Sequence, residues 1–480
     1  MAENNKYEED KLITETGESY KDRVAVIDKK GKRVWVYPSK PTMGRFQKGR
    51  LVVGWLIIAM FFIVPFIHVN GHPYFLIDIV NRMFIFFGTI WFPHDFYIFA
   101  IGLLSFALFI VLFTAILGRI FCGWACPQTV FMELVYRKFE YLIEGNASKQ
   151  KALDKTNNYA EKIFKKILKH GIFIIIALIA NFFVFSYFTG IDKMTEMVFA
   201  RPGDHFGPIL GYLLISFAFY VNFSWFREQA CTYICPYGRL QSVLLDENSL
   251  IVAYDNTRGE PRGKLDSGQI KDGNGDCISC GACVRVCPTG IDIRNGLQLE
   301  CVNCTNCIDS CDEIMDKINK PRGLVKYTSI NSLEKDEKFK FTPRLFFYVV
   351  VLTGLLALFA VMIGIRSDVE ANILRARGST FILNENGTVT NIFTYKLLNK
   401  TFFDYNLEMK TLDHSGNFKH IGKEALILEP EQVLEGTFLL EIPASELKGS
   451  KNEIEIGLYS NGKLIDVVKT NFSAPIKITK

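Results

Sequence analysis

Apolar residues run almost unbroken through five segments, roughly 51–67, 96–117, 171–189, 208–226 and 345–365. Crossing the hydrocarbon core of a bilayer as a helix takes about 20 such residues, so the pattern predicts five membrane spans. The stretch 73–92 is also apolar, but Asp78, Asn81 and Arg82 interrupt it, which predicts an interfacial or re-entrant piece instead of a sixth span. Past residue 366 the period shortens to two. Phe393, Tyr395 and Leu397 alternate with Ile392, Thr394 and Lys396, and Phe438, Leu440, Ile442 and then Ile454, Ile456, Leu458 repeat the alternation. The pairs Asn386-Gly387, Ser415-Gly416 and Asn461-Gly462 punctuate these runs. Short alternating strands with regular turn signals predict a β-sandwich. This region has no cysteine and nothing that looks catalytic, so it reads as an interaction or scaffolding module.

Composition agrees with this division. A chain of 480 residues with 49% hydrophobic and 14% aromatic content is too long for one domain and too apolar for an ordinary soluble one. A charged tail of about fifty residues ahead of the first span argues against a cleaved signal peptide. Lys and Arg number twelve in residues 1–50, ten in 118–170 and sixteen in 227–344, against one in 68–94 and two in 190–206. Positive charge collects on the cytoplasmic side, so the amino terminus and the segments 118–170 and 227–344 are expected inside and the carboxyl terminus outside. The net charge of +5 then reflects topology, and no nucleic-acid partner is expected. The charged residues of 131–170 read as a solvated loop. No phosphate-binding glycine loop, dinucleotide turn or hydrolytic nucleophile motif stands out.

The cysteines carry the chemistry. Eight of twelve fall within 35 residues, as Cys277-x2-Cys280-x2-Cys283-x3-Cys287-Pro288 and Cys301-x2-Cys304-x2-Cys307-x3-Cys311. Each triple supplies three thiolates to a cubane, and in two-cluster ferredoxins the fourth cysteine of each run serves the other cluster. The expected sets are therefore Cys277, Cys280, Cys283 and Cys311 for one [4Fe-4S] cluster, and Cys301, Cys304, Cys307 and Cys287 for the other. Structural zinc has no use for the triple spacing. The other four cysteines form two C-x3-C-P elements, Cys122 with Cys126 and Cys231 with Cys235, each after a span, as in an internal repeat. If helical, the i,i+4 spacing puts both sulfurs of a pair on one face. The two pairs could meet as a four-thiolate site for copper(I), zinc or a further cluster, or merely pack as buried cysteines do. His68, His72, His94 and His205, with Met194 and Met197, lie in the alternate segments; an outer copper site is conceivable there, though loop histidines are usually ordinary polar residues.

These motifs, in this order, resemble the cytochrome c oxidase accessory protein family known as CcoG, FixG or RdxA. The matching elements are Val36-Tyr37-Pro38 ahead of Gly44-Arg45-Phe46, Trp91-Phe92-Pro93-His94-Asp95-Phe96, and Gly118-Arg119-Ile120-Phe121-Cys122-Gly123-Trp124-Ala125-Cys126-Pro127-Gln128-Thr129-Val130. They continue with Arg227-Glu228-Gln229-Ala230-Cys231, Cys235-Pro236-Tyr237-Gly238-Arg239, the ferredoxin cysteines and Tyr395-Lys396-Leu397-Leu398-Asn399-Lys400. The resemblance covers the chain beyond its first twenty residues. It implies a bacterial inner-membrane iron–sulfur protein needed for assembly of the cbb(3)-type oxidase. It also implies reduction of copper(II) to copper(I), copper being substrate or bound ion; for the working thiols the repeated C-x3-C-P elements themselves point to Cys122, Cys126, Cys231 and Cys235. Partners would be a copper-exporting P-type ATPase, oxidase assembly factors and an electron donor the sequence does not name. Two other readings stand beside it: a quinol-linked polyferredoxin of the NapH type, and a non-enzymatic assembly scaffold or redox sensor.

The expected fold is thus a multi-domain membrane protein: an α-helical bundle of about five spans, a cytoplasmic two-cluster ferredoxin-like α+β insert, and a carboxyl-terminal all-β, Ig-like sandwich. Its parts are a tail at 1–50, a four-span domain at 51–270, the ferredoxin domain at 271–315, a linker at 316–344, the fifth span at 345–365 and a periplasmic sandwich at 366–480.

Overall fold

Among the described residues five helices are long and apolar enough to cross a membrane: Arg45–Phe66, Phe96–Leu117, Tyr159–Thr189, Phe206–Phe226 and Pro343–Ile365. Their exposed side chains are themselves apolar, Leu103, Leu104 and Phe106 on the second and Phe346 and Phe347 on the fifth among them. That is the surface of helices solvated by lipid. The chain is a membrane protein. The computed structural model describes residues 33, 35–69, 71–80, 82–199, 205–264, 273–296, 298, 300–335, 340, 342–376, 378, 380–422, 426–430 and 432–475. Most of the tail read at 1–50, and part of the 190–206 segment, lie outside the described residues. Two units cluster separately. One comprises Met1–Val64, Gly102–Ser186 and Gly190–Leu356; the other comprises Pro65–Ile101, Tyr187–Thr189 and Ala357–Lys480.

In the first unit, the third span begins well before its apolar run. Asn158 caps it by accepting from the Glu161 N–H at 3.5 Å, and the helix then carries the polar residues of 159–170 as extra turns. The segment 131–170 is accordingly helical and not a solvated loop. Arg137, Glu140, Glu144 and Lys169 are each 5% exposed or less. The reason is mutual neutralisation. Arg137 pairs with Glu133 and Glu228, Lys169 with Glu140 at 3.3 Å and Glu144 at 2.8 Å, and Arg227 with Glu140 at 2.7 Å. Buried charges persist only when paired in this way.

The ferredoxin-like part is held between two antiparallel strands, Ile251–Tyr254 and Val325–Thr328. The second of these lies in the segment read as a linker. Around them pack Ile291, Ile293, Ile308, Met315 and Leu324 with the cysteines. This part is bolted to the first span. Asp309 accepts from the N–H groups of Phe46 at 3.2 Å and Gln47 at 2.6 Å, capping from a distance a helix whose own N-cap, Gly44, has no side chain to do so. Glycine is required at 44, since a Cβ there would stand 2.2 Å from Asp309 Cγ.

In the second unit, residues 75–91 form a three-stranded antiparallel sheet, Phe75–Asp78, Met83–Phe86 and Thr89–Trp91, so the interrupted apolar stretch is not a span. Nine further strands make two sheets. One joins Asn417–Ile421, Val433–Pro443, Thr388–Asn399 and Val369–Arg375, with Ile382–Leu383 on Thr388–Asn399. The other joins Leu426–Leu428, Tyr405–Thr411, Lys451–Ser460 and Lys463–Ser473. The alternating residues meet between them: Phe393, Leu397, Phe438, Leu440, Ile442, Ile454, Ile456 and Leu458 are 0% exposed. Asn461 and Gly462, at φ 49° and 77°, turn one hairpin as the Asn-Gly pair requires.

Candidate metal centres

Each cysteine triple is wound by the same backbone device. In Cys277–Cys283 the positive-φ residues are Ser279 and Gly281, and in Cys301–Cys307 they are Asn303 and Thr305, the same two positions of each loop. Left-handed residues at alternate positions curl the chain so that three thiols turn inward. Three of the four are not glycine, a strain of the kind that gathers at functional sites. Helices Ala282–Arg285 and Asn306–Lys317 then carry Cys283, Cys307 and Cys311, and Cys287 follows the first of them.

The side chains collect in two groups. Cys277, Cys280, Cys283 and Cys311 line one small cavity with Tyr254 and Met315. Cys287, Cys301, Cys304 and Cys307 line a second with Val252, Ile291 and Ile293, and Cys283 borders both. The fourth cysteine of each run therefore stands with the other run's triple. Among the described residues, no three His, Cys, Asp or Glu side chains are close enough to hold a single metal ion. Two of the histidines read as a copper site have other neighbours: His72 stacks on Phe402, with ring centroids 4.1 Å apart, and the His68 Nδ1 is 3.0 Å from the Phe66 carbonyl oxygen. Burial pushes the Cys301 thiol up to about 12 and Cys304 to about 11. These groups stay neutral until a metal displaces their protons. Cys280 alone of the eight is exposed.

The two C-x3-C-P elements also come together, but not as continuous helices. The helix Ile120–Trp124 stops, Cys126 is extended at ψ 126°, and a new helix begins at Pro127. In the second element Cys231 lies in the π-turn Ala230–Ile234, and Cys235, at ψ 111°, precedes the helix Pro236–Leu244. The i,i+4 geometry is thus replaced by a break. A residue before proline is driven out of the helical region, while proline itself suits the first helical position. The repeat extends to the backbone: the Cys126 N–H donates to Phe121 O and the Cys235 N–H to Ala230 O, both at 2.8 Å across five residues. The break places the Cys126 sulfur over the start of a helix, where the N–H groups of Gln128 and Thr129 oppose the rise in its pKa that burial causes. Burial lifts Cys122 to about 11 and Cys231 to about 12, and the four thiols act on one another electrostatically.

This quartet adjoins the second cysteine set. Cys122 packs with Val302 and Cys304. Gly123 permits it, since a Cβ there would lie 2.5 Å from Val302 O and 2.8 Å from Cys304 Cα. Arg50 ties the junction, donating from Nε to Gly123 O at 2.8 Å and from Nη1 to Asn306 Oδ1 at 3.2 Å. The Cys122 thiol donates to Gln241 Oε1 at 2.9 Å, and a cavity beside Cys231 is lined by Glu133, Arg227, Glu228 and Thr289. Arg50, Gln241 and most of the ion network have no spacing signature, and Arg119, Arg227 and Glu228 stand inside matched elements that give them no role. Only the glycines flanking Arg119 and Cys122 hinted at close backbone approach.

Residues 226–330 match the family described as a 4Fe-4S dicluster domain, 99–146 a 4Fe-4S binding domain, and 359–475 the IG-like fold at the C-terminal of FixG, putative oxidoreductase. The nitrogen fixation protein FixG of Rhizobium meliloti (strain 1021) is 33% identical over 436 residues, 81% of this chain and 80% of that protein. Protein RdxA of Cereibacter sphaeroides is 34% identical over 383 residues, covering 76% and 80%. The putative electron transport protein YccM of Escherichia coli is 26% identical over 220 residues, covering 44% and 54%. With its [4Fe-4S] cysteines, apolar spans and terminal Ig-like sandwich, the chain belongs to the FixG/RdxA family of membrane iron–sulfur electron-transfer proteins.

Proposed function

We propose that this protein reduces copper(II) to copper(I) at the quartet Cys122, Cys126, Cys231 and Cys235, for delivery to a cbb(3)-type oxidase through a copper-exporting ATPase. The observation that carries this is the packing of Cys122 on Val302 and Cys304, which puts the quartet beside the second cysteine set. On this reading Cys277, Cys280, Cys283 and Cys311 hold one [4Fe-4S] cluster and Cys287, Cys301, Cys304 and Cys307 the other. When bound, such clusters supply one-electron carriers, and one electron per ion is what the reduction needs. The quartet's part is to make copper(I) the favoured state. Thiolates prefer the soft monovalent ion, which needs few ligands, so two of the four thiols would suffice. Gln128 and Thr129 support the charged form of Cys126. In the proposed orientation the iron–sulfur part is cytoplasmic, the sandwich periplasmic, and the host membrane the bacterial inner membrane; the Lys and Arg distribution supports this.

The test is the double substitution Cys126→Ser with Cys235→Ser in the full-length protein, purified anaerobically. Copper(II) reduction should fall to background while iron and acid-labile sulfide stay at the wild-type level. Reduction at the wild-type rate with iron retained would remove the quartet from the reaction. Quinol oxidation by the same preparation, without metal turnover, would favour a quinol-linked polyferredoxin.

A further inference from the structure

The start of the first span, the helix Asn306–Lys317 and the strand Val325–Thr328 enclose a cavity of about 600 Å³ whose lining includes no cysteine. Small-molecule sites run from about 300 to 1,000 Å³. One wall is shared with the first cysteine set. The helix turns Asp312, Glu313 and Asp316 to the cavity and Cys311, Ile314 and Met315 to the set, and Val325 borders both. The cavity's place along the spans is equally definite. Phe46, on one side, is the second residue of the helix Arg45–Ile63. Tyr327, on the other, donates to the carbonyl oxygen of Leu117, the last residue of the second span. The cavity thus lies where these two spans end, within reach of a ligand dissolved in the lipid.

The lining selects the ligand by charge. Four carboxylates, those of Asp309, Asp312, Glu313 and Asp316, stand against three cations. Two of the cations are already engaged, Arg322 by Asp316 at 2.7 Å and Lys326 by Asp255 at 2.9 Å. A donor carrying phosphate, such as a flavin or nicotinamide nucleotide, would bring like charge to this surface. Met43, Phe46, Ile308 and Val325 supply an apolar face, which suits a neutral ring. Arg45 has no carboxylate partner among the described residues, and its guanidinium lies 4.8 Å from the Phe46 ring centroid. It holds the first position of its helix, where a cation works against the helix dipole, so its charge does not serve the helix. We propose that this cavity binds the head group of a membrane quinol, with the ring on Phe46 and Arg45 donating to a ring oxygen, and that this quinol is the electron donor for copper. Oxidation of one quinol to the quinone breaks two O–H bonds and releases two electrons and two protons. The electrons reduce two copper(II) to two copper(I), and the protons pass to water at the rim, where Asp316 and Arg322 are exposed. The inference rests on the copper reading for the fate of the electrons and not for the site itself.

The experiment is a binding titration of the full-length protein in lipid nanodiscs, with empty nanodiscs as the blank. The probe is heptyl-hydroxyquinoline N-oxide, a quinol analogue whose fluorescence is quenched when it is bound. Wild type should bind one analogue per chain, and menadiol should displace it. Met43→Trp fills the cavity mouth from a side chain that is 62% exposed, so the fold should accept it. This variant and R45Q should each raise the analogue's dissociation constant about tenfold or more, with iron content unchanged. No saturable quenching, displacement by flavin mononucleotide and not by menadiol, or wild-type affinity in both variants would each overturn the inference. Should one variant lose iron, the other decides; should both, displacement by menadiol against flavin mononucleotide in wild type decides. The Cys126/Cys235 variant should bind the analogue as wild type does. If that variant still reduces copper(II), the proposed function falls and the quinol site stands. If wild type reduces copper(II) but does not bind the analogue, the quinol site falls and the copper reading stands.

Discussion

Asp95 is 2% exposed and holds two cations, Lys400 Nζ at 2.6 Å and Arg366 Nη2 at 2.9 Å. Burial acts to raise its pKa, but the hydrogen bonds and charges of Lys400 and Arg366 outweigh this and hold the carboxyl below its ordinary value. Arg366 also donates to the Ile90 carbonyl and lies 4.7 Å over the Trp91 ring, and Lys400 pairs with Glu370 at 2.8 Å. Two stretches carrying the family resemblance, Trp91–Phe96 and Tyr395–Lys400, thus meet in one ion cluster. Their residues were legible as motifs; that they neutralise one another was not, because pairing across some three hundred residues leaves no local pattern. Asp95→Asn would leave two buried cations short of a partner, and losing one member of a buried pair costs about 3–5 kcal/mol. A matching drop in denaturation midpoint of the second unit, with iron content unchanged, is the expected result. A depressed carboxyl stabilises the fold above the unfolded-chain value, about 3.9, and ceases to do so as pH falls through its lower folded value. The wild-type advantage over Asp95→Asn should therefore hold at neutral pH and vanish in acid, as thermal melts across that range would show.

At the scale of elements, what decides legibility is whether the signal is local. The five spans, the alternating strands and the cysteine triples announce themselves by period and spacing, and each appears where its residues foretell. The C-x3-C-P elements do not, since the spacing suggested one helical face and the proline imposed a break instead. The charged segment 131–170 misled for another reason: charge usually marks solvent, and here Glu140, with Arg227 and Lys169 beside it, is held at about 2 against the upward pull of burial. The stretch 73–92 is long enough for a span, but Asp78, Asn81 and Arg82 interrupt it, and it forms a sheet in which Phe84 and Phe86 stack near Phe99, each with centroids 6.5 Å away. One approach between elements is close enough to predict on. The Gly123 turn lies on the backbone of the Val302–Cys304 loop, and backbone cannot swing aside as a flexible side chain can. Gly123→Val should force that loop away and empty the second cysteine set, leaving about half of the wild-type iron. Iron and sulfide analysis checks this, and a full complement would show that the loop yields without losing its ligands.

For the whole molecule, the spans and the charges between them make a joint argument. An odd number of crossings puts the two termini on opposite sides, and the described residues hold five helices of sufficient length. The segments between them differ sharply in Lys and Arg, thirty-eight over 1–50, 118–170 and 227–344 against three over 68–94 and 190–206. Transferring basic residues across a membrane is disfavoured, so the orientation proposed above is the one in which the fewest cross. It also has a chemical consequence. Thiols and cluster assembly are at home in a reducing compartment, and all twelve cysteines lie in the first unit, which leaves the sandwich free of thiols. A reporter active only outside the cytoplasm should therefore work when fused after Lys480 and stay silent when fused after Leu250. If the fifth helix did not span, both fusions would be silent. If the orientation were reversed, the Leu250 fusion would be the active one, and copper reduction would then have to be sought on the far side of the membrane, without a cytoplasmic donor to drive it.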